Sequence, residues 1–351
     1  MGLSSPGSAG ADGDVAGVVG ELDLASSPSR LRVDVLLDDH DRMEMLRAEA
    51  RRGLTRRPRE LPPKWFYDQR GSALFDEITT LPEYYLTRRE REILRARAVA
   101  IAELTRAETL VELGSGSSEK TRILLDALGA GLPAGLRRFV PFDVCLPALE
   151  QAGAALLREY PALEIHAVVG DLDHHVGLLP RGRRCVVALL GSTIGNFDPA
   201  ARAALYRQLR EVLGPGDFFL LGTDLVKDPA RINAAYNDAA GVTAAFNRNV
   251  LRVLNRDLGA DFREDRFEHV ASFDPERELV DIRLRSLDSQ VVEVGALDLR
   301  VSFAAGEEMR TEISTKFRRP SLERELGQAG FALVRWWTDR GGDFALSLWS
   351  P

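Results

Sequence analysis

Apolar and polar positions change their rhythm three times along this chain. From Val33 apolar residues alternate with charged ones at roughly helical spacing, until Pro62-Pro63 interrupts the pattern. A compact aromatic segment follows, from Lys64-Trp65-Phe66-Tyr67 to Leu81-Pro82-Glu83-Tyr84-Tyr85. Thr87 with Glu90 three residues on reads as a capping box for a helix carrying Ile93, Leu94 and Ile101. The rhythm then becomes short apolar runs separated by helical segments: Thr109 to Leu113, Phe139 to Phe142, Ile165 to Val169, Cys185 to Leu190 and Phe218 to Leu221. Each run is rich in Val, Leu or Phe and ends in Gly, Asp or a polar loop, as buried parallel strands do.

From Pro229 the pattern changes again. Ile232 to Leu258 reads as two helices, with Phe246, Val250, Val253 and Leu254 on one stripe. Next, Val280, Ile282 and Leu284 face opposite to Leu279, Asp281 and Arg283, and Leu297, Leu299, Val301 and Phe303 alternate with polar residues. Such alternation predicts antiparallel strands with one wet face. A helix over Ser321 to Gly330 and strands at Phe331–Trp337 and Phe344–Trp349 close the chain. The expected fold class is therefore α/β: a doubly wound, Rossmann-like sheet interrupted before its last helix and strands, with a second, smaller α+β domain over its carboxyl edge, where ligands bind in such sheets. The expected division is a disordered tail over 1–30, a sheet domain of 89–226 plus 317–351, and a substrate domain of 31–88 plus 227–316.

Composition narrows the function. The chain has 351 residues, 45% of them hydrophobic, enough for a substantial core. Its formal net charge of −7 does not favour a nucleic-acid backbone; the local run of Arg47, Arg51, Arg52, Arg56, Arg57 and Arg59 reads as a solvated helix face. The two cysteines, Cys145 and Cys185, lack metal-ligand spacing and argue for a reducing, cytoplasmic setting. No apolar stretch is long enough to span a bilayer, and the N-terminus matches neither a secretory signal nor a myristoylation site. The expected partner is a small-molecule substrate, with no nucleic acid and no membrane; a monomer is compatible with the sequence, which does not set the oligomeric state.

The strand ends carry the candidate chemistry. The first gives Gly114-Ser115-Gly116, which permits a tight turn and close approach of a ligand. A dinucleotide fingerprint would place a third glycine where Glu119 stands, and an acid there would repel a pyrophosphate. S-adenosylmethionine has no phosphate, so it tolerates the change. The second strand ends in Asp143, whose carboxylate can accept both ribose hydroxyls, and the third in Gly170-Asp171-Leu172, where a carboxylate can accept the adenine amino group. One such acid is commonly a helix cap; the series on three successive strand ends points to a methyltransferase, as does the terminal strand pair, one member of which should run antiparallel. The fourth strand leads into Gly191–Phe197, where Asn196 could hold a substrate carboxylate or amine.

Longer motifs are more specific: PPKWFYD at Pro62–Asp68, LPEYY at Leu81–Tyr85, ELGSGSSEKT at Glu112–Thr121, GSTIGNF at Gly191–Phe197, LLGTDLVKD at Leu220–Asp228, AAFNRNVL at Ala244–Leu251 and FAAGEEMRTEISTKF at Phe303–Phe317. Together they resemble the L-histidine Nα-methyltransferases of ergothioneine biosynthesis over nearly everything after the first thirty or so residues. The resemblance implies a class I methyltransferase sheet and three successive transfers that convert histidine to hercynine. It implies that Gly114, Lys120, Asp143, Asp171 and Leu172 contact S-adenosylmethionine, that Tyr84, Asn196, Tyr236, Glu312 and Ser314 hold histidine, and that Tyr67 and Asn196 lie at the reacting amine. No metal is implied. Glu312 suits an imidazole N–H, and in an extended segment it shares a face with Ser314. Ile282 stands where the family pattern has Met, beside the ring, which bears on substrate choice alone. The competing readings are an N-methyltransferase of another amino acid or small amine, and a non-catalytic donor-binding sensor or scaffold.

Overall fold

The computed structural model describes residues 1–2, 30–116, 118–130, 135–180 and 182–351; the tail expected over 1–30 falls almost wholly outside them. The first part of the chain forms β1 (Leu31–Val35), α1 (Asp39–Thr55), β2 (Arg59–Glu60), a 3₁₀ turn (Pro63–Phe66), α2 (Gln69–Thr80) and α3 (Leu86–Thr105). The alternating part follows as β3 (Thr109–Leu113), α4 (Thr121–Gly129), β4 (Arg138–Asp143), α5 (Leu146–Glu159), β5 (Glu164–Val169), β6 (Cys185–Leu189), α6 (Pro199–Val212) and β7 (Phe218–Asp224). The remainder is α7 (Pro229–Tyr236), α8 (Val242–Leu258), β8 (Phe267–Asp274), β9 (Leu279–Ser286), β10 (Gln290–Val294), β11 (Leu299–Phe303), β12 (Glu308–Thr315), α9 (Arg319–Gln328), β13 (Ala332–Thr338) and β14 (Phe344–Ser350).

The large sheet has eight strands in the order β1-β5-β4-β3-β6-β7-β14-β13. Strands β1 to β7 within it run parallel, and β14 lies antiparallel between β7 and β13, as the terminal pair led us to expect. One face packs Leu94, Ile101, Leu124 and Leu128 against the sheet; the other packs Leu205, Leu209, Leu322 and Leu326. The first of these cores continues without a break into the smaller unit through Phe246, Leu254, Val280 and Leu284. There α8 lies against a four-stranded sheet, β2-β12-β9-β8, beside the β10–β11 hairpin.

Three expectations need correction. Leu31–Val35, assigned to the smaller domain, pairs with β5 as an edge strand of the large sheet. Its backbone fills the open side of β5, and Leu31 packs on the first core. Thr87 and Glu90 form no capping box: α3 starts without a side-chain cap, and Glu90 is wholly buried, drawn inward by Lys120 and by the amide of Gly191. The expected wet face of β9 is half dry. Asp281 is buried, clasped by Arg283 at 2.7 Å and Arg310 at 2.9 Å, and the two guanidiniums hold its carboxyl at about 2 despite the opposing effect of burial.

Strand β12 contains an irregularity that decides where its side chains point. Arg310 pairs with Arg283, yet Glu312 pairs with Ile282, so Thr311 is an extra residue in the ladder. Its hydroxyl donates to Asn247 Oδ1 of α8 at 2.6 Å, which seats the bulge. Beyond it Glu312 and Ser314 share the face of Ile282 and Val280.

Candidate active site

The parallel strands deliver the donor end. Gly114 and Gly116 both have positive φ, 67° and 49°, and a Cβ on either would meet only open space. The turn is thus held open as a cradle rather than packed shut. Asp143, at the end of β4, accepts from the amide of Gly116 at 3.0 Å through one oxygen and from that of Cys145 at 3.1 Å through the other. Burial raises its pKa and the backbone donors oppose that rise. Each oxygen keeps a lone pair, so the carboxylate can still receive two hydroxyls. Glu112, inside β3, is buried with its Oε2 unpartnered, and burial pushes its carboxyl up to about 7. An orphaned acceptor beside an open glycine turn fits the amino group of a sulfonium amino acid such as S-adenosylmethionine.

Lys120 ion-pairs with buried Glu90, whose carboxylate also accepts the Gly191 amide at 2.8 Å. This joins the glycine turn to the loop after β6. Asp171, at the end of β5, is buried against Lys64 at 2.5 Å. Burial raises its carboxyl, but the charge and hydrogen bond of Lys64 outweigh that and leave it below its ordinary value. Lys64 also meets Glu49 of α1 at 2.9 Å, and Leu172 packs partly buried against the second core.

The acceptor end is built from distant stretches. Tyr67 sits between the 3₁₀ turn and Asp68, which caps α2 through the Gly71 amide at 2.8 Å. Asn249 of α8 locks this junction, donating to Phe66 O at 2.9 Å and to Asp68 Oδ1 at 2.8 Å. The Tyr67 ring packs edge-on to Phe75 and Phe246, Phe75 edge-on to Tyr84, and Tyr84 edge-on to Tyr236. Burial raises the phenol pKa of Tyr67, as do the charges of Glu312 and Asp143. Acids of both β12 and β4 thus act on this one hydroxyl. Burial likewise holds Tyr84 and Tyr236 as neutral phenols.

Glu312 reaches this aromatic wall from β12, and Asn196 hydrogen-bonds to it. Burial raises the Glu312 carboxyl to about 7, against the lowering effects of Lys316 and Asn196. Gly195 packs so tightly on β12 that a Cβ would lie 2.8 Å from Thr315 O, which fixes Asn196 beside Glu312. Ser314 lies 2.8 Å from the Tyr236 hydroxyl, and both accept from Lys316. Tyr67, Tyr84, Tyr236, Ser314, Glu312 and Asn196 thus gather around β12, with Ile282 opposite Glu312 in the ladder, while Gly114, Lys120, Asp143, Asp171 and Leu172 lie at or after the carboxyl ends of β3, β4 and β5.

Sequence reasoning missed the ions that hold these groups: Glu90, Glu112, Lys64, Lys316, Asp224 and Lys227. Lys316 could have been found by parity, two residues beyond Ser314. Glu90 was hidden by a capping pattern that the fold does not use.

Comparison with known proteins decides the class. Residues 46–351 match the family model described as histidine-specific methyltransferase, SAM-dependent. The chain belongs to this family. A histidine N-alpha-methyltransferase of Mycolicibacterium smegmatis is 58% identical over 306 residues, covering 87% of this chain and 94% of the relative. That of Mycobacterium tuberculosis is 56% identical over 303 residues, covering 86% and 94%. The ergothioneine biosynthesis protein 1 of Neurospora crassa is 32% identical over 312 residues, 83% of this chain but 33% of the longer fungal protein. The histidine-specific methyltransferases use S-adenosylmethionine, so the methyl donor and the enzyme class agree with the sequence reading. Among the described residues no helix is long and apolar enough to cross a membrane.

Proposed function

We propose that this enzyme transfers three methyl groups in succession from S-adenosylmethionine to the α-amino nitrogen of L-histidine, yielding hercynine. When bound, the donor supplies an electrophilic methyl on a sulfonium. Gly114, Lys120, Asp143, Asp171 and Leu172 hold it at the carboxyl ends of β3, β4 and β5. Tyr84, Asn196, Tyr236, Glu312 and Ser314 hold histidine. Tyr67 and Asn196 orient the amine nitrogen, and orientation is the main lever for an in-line displacement. The observation that carries the reading is Glu312: a carboxylate inside an aromatic wall, held at about 7 and fixed by Asn196, within reach of the charge field that Tyr67 shares with Asp143. A leucine or phenylalanine side chain would leave that acid desolvated and unpaired.

The smaller unit, 36–88 plus 227–316 once β1 is given to the sheet, then acts as the substrate-binding domain. Both cysteines are free, in keeping with a reducing cytoplasmic setting, and a monomer holding one small molecule suffices; no nucleic acid is called for. The test is incubation with donor and an equimolar amino-acid mixture, with products read by mass spectrometry. Mono-, di- and trimethylated histidine are expected. Methylation of another amino acid or amine in preference to histidine would overturn the substrate, and no methylated product at all would leave a donor-binding protein without transfer.

A further inference from the structure

Beneath the acceptor pocket lies a lysine that the reaction as described does not use. Lys316 is fully buried, and its ammonium meets three oxygens: Asp224 Oδ2 at 2.9 Å, Tyr236 Oη at 2.7 Å and Ser314 Oγ at 2.9 Å. An ammonium has three protons, so each is committed. The Asp224 carboxylate is itself anchored, by the Tyr85 hydroxyl at 2.9 Å and by Lys227. The cation therefore cannot turn away without leaving a buried acid short of a donor.

This geometry fixes a proton count. Tyr236 and Ser314 each own one hydroxyl proton, and each gives a lone pair to Lys316. They lie 2.8 Å apart, so one of the two protons bridges them. One proton and one lone pair are left: the phenol, the more acidic hydroxyl, makes the bridge and keeps the lone pair, so Ser314, with both lone pairs filled, has only its proton to present to the pocket. Beside them Glu312 presents only lone pairs when ionised; burial raises its carboxyl to about 7, and the Lys316 ammonium opposes that rise.

We propose that Lys316 is a specificity-determining positioning residue: by occupying hydroxyl lone pairs from below, it makes the Ser314–Tyr236 pair a hydrogen-bond donor opposite the acceptor Glu312. Resting on the reading that Glu312 and Ser314 hold the substrate ring, it follows that the pocket complements a neutral ring with one N–H and one bare nitrogen. Without Lys316 the two hydroxyls regain free lone pairs and meet a donor as readily as an acceptor.

The test compares histidine with β-(pyrrol-2-yl)alanine and β-(pyrrol-3-yl)alanine, which keep a ring N–H and have carbon in place of the bare nitrogen. The variant is Lys316→Met, in which Asp224 keeps Lys227 as its charge partner and Tyr85 as a donor. Wild type should favour histidine in kcat/KM by about tenfold or more over either pyrrole. The variant should lose most of that ratio through histidine KM, with S-adenosylhomocysteine affinity unchanged. A folded, donor-binding variant that keeps the wild-type ratio overturns the proposal. Ser314→Ala runs alongside: if it too keeps the ratio, the assignment of Ser314 to the bare ring nitrogen itself fails, whereas a change in Ser314→Ala alone isolates the failure to Lys316; Glu312→Ala should lower histidine and both pyrroles alike.

A measurement on the unmodified enzyme covers a variant that does not fold. Ring-15N histidine bound with S-adenosylhomocysteine is observed by NMR at pH 6.5, where free imidazole is about half protonated. The groups around the ammonium are Asp224, Tyr236, Glu312, Lys227 and Tyr85. The bound ring should show one protonated and one bare nitrogen, and two protonated nitrogens would overturn the proposal.

Discussion

The strand-end acids Asp143 and Asp171 are better partnered than Glu312 across the site, although Glu112 inside β3, raised to about 7 with Oε2 unpartnered, resembles Glu312. At the donor end Asp171 faces a lysine and sits below its ordinary pKa, and Asp143 takes a backbone amide on each oxygen. At the acceptor end Glu312 is held up at about 7 by burial, with a side-chain amide and a more distant ammonium in partial compensation. A group already satisfied can be shaped by its own strand end, whereas one kept short of partners needs walls brought from far along the chain. On the function proposed above, the acceptor end would trade stability of the empty protein for discrimination among ligands, and perturbed acids cluster at such sites.

Breaking the acceptor end should have the largest effect. Glu312→Ala is expected to lower histidine kcat/KM by about a thousandfold, in line with sites built around one substrate hydrogen bond. The gap between histidine and aromatic amino acids should narrow, and donor affinity should hold steady. Competition among amino acids, with products counted by mass spectrometry, checks this; an unchanged preference would remove Glu312 as the reader of the ring.

At the donor end Asp143→Ala should weaken S-adenosylmethionine binding by about ten- to a hundredfold, since hydrogen bonds to a charged group are worth about 1.5–3 kcal/mol each. Histidine selectivity should stay as in wild type. Calorimetry with folded variant protein reads the first effect, and unchanged donor affinity would cancel the assignment.

The smallest effects are in pH dependence. A carboxyl raised from 4.5 to about 7 binds its proton more tightly when folded. It therefore supports the folded state fully below pH 4.5, and that support is lost as pH climbs to about 7. Glu312→Gln cannot ionise, so its melting temperature relative to wild type should improve by a few degrees between pH 5 and pH 8, even as activity falls. A constant difference across that range would show that Glu312 is not strained by ionisation. In wild type, activity should rise from neutral into mildly alkaline pH, because both the Glu312 carboxyl and the attacking amine must lose protons; a flat profile with chemistry rate-limiting would contradict this.

The contrast also explains what the chain revealed before its fold was known. Strands β3 to β7 are legible because each is a buried apolar run, and the candidate residues Gly114, Asp143 and Asp171 follow the ends of β3, β4 and β5 with their context attached. The aromatic wall was reachable through motif resemblance, not through periodicity, since Tyr67, Tyr84 and Tyr236 meet only in three dimensions. The ion pairs were opaque. Lysines and acids are usually solvated; parity with Ser314 is the one local mark of Lys316, and nothing local marks Glu90 as buried or Lys64 as half-buried. Strand β1 was misassigned because a short edge strand carries too few apolar positions to declare which sheet it joins.

The bulge at Thr311 gives β12 one residue of slack. Counted strictly by alternation from buried Met309, the inward positions would be Thr311, Ile313 and Thr315, and the acid and serine of the pocket would point away. Because the ladder skips Thr311, the strand can bury Met309 in the core and still carry Glu312 and Ser314 on the face of Ile282 and Val280. A relative one residue shorter between Met309 and Glu312 would present the same pocket on an unbroken ladder. A loss between Glu312 and Ser314 has no such reserve, and would turn Ser314 and Lys316 outward together.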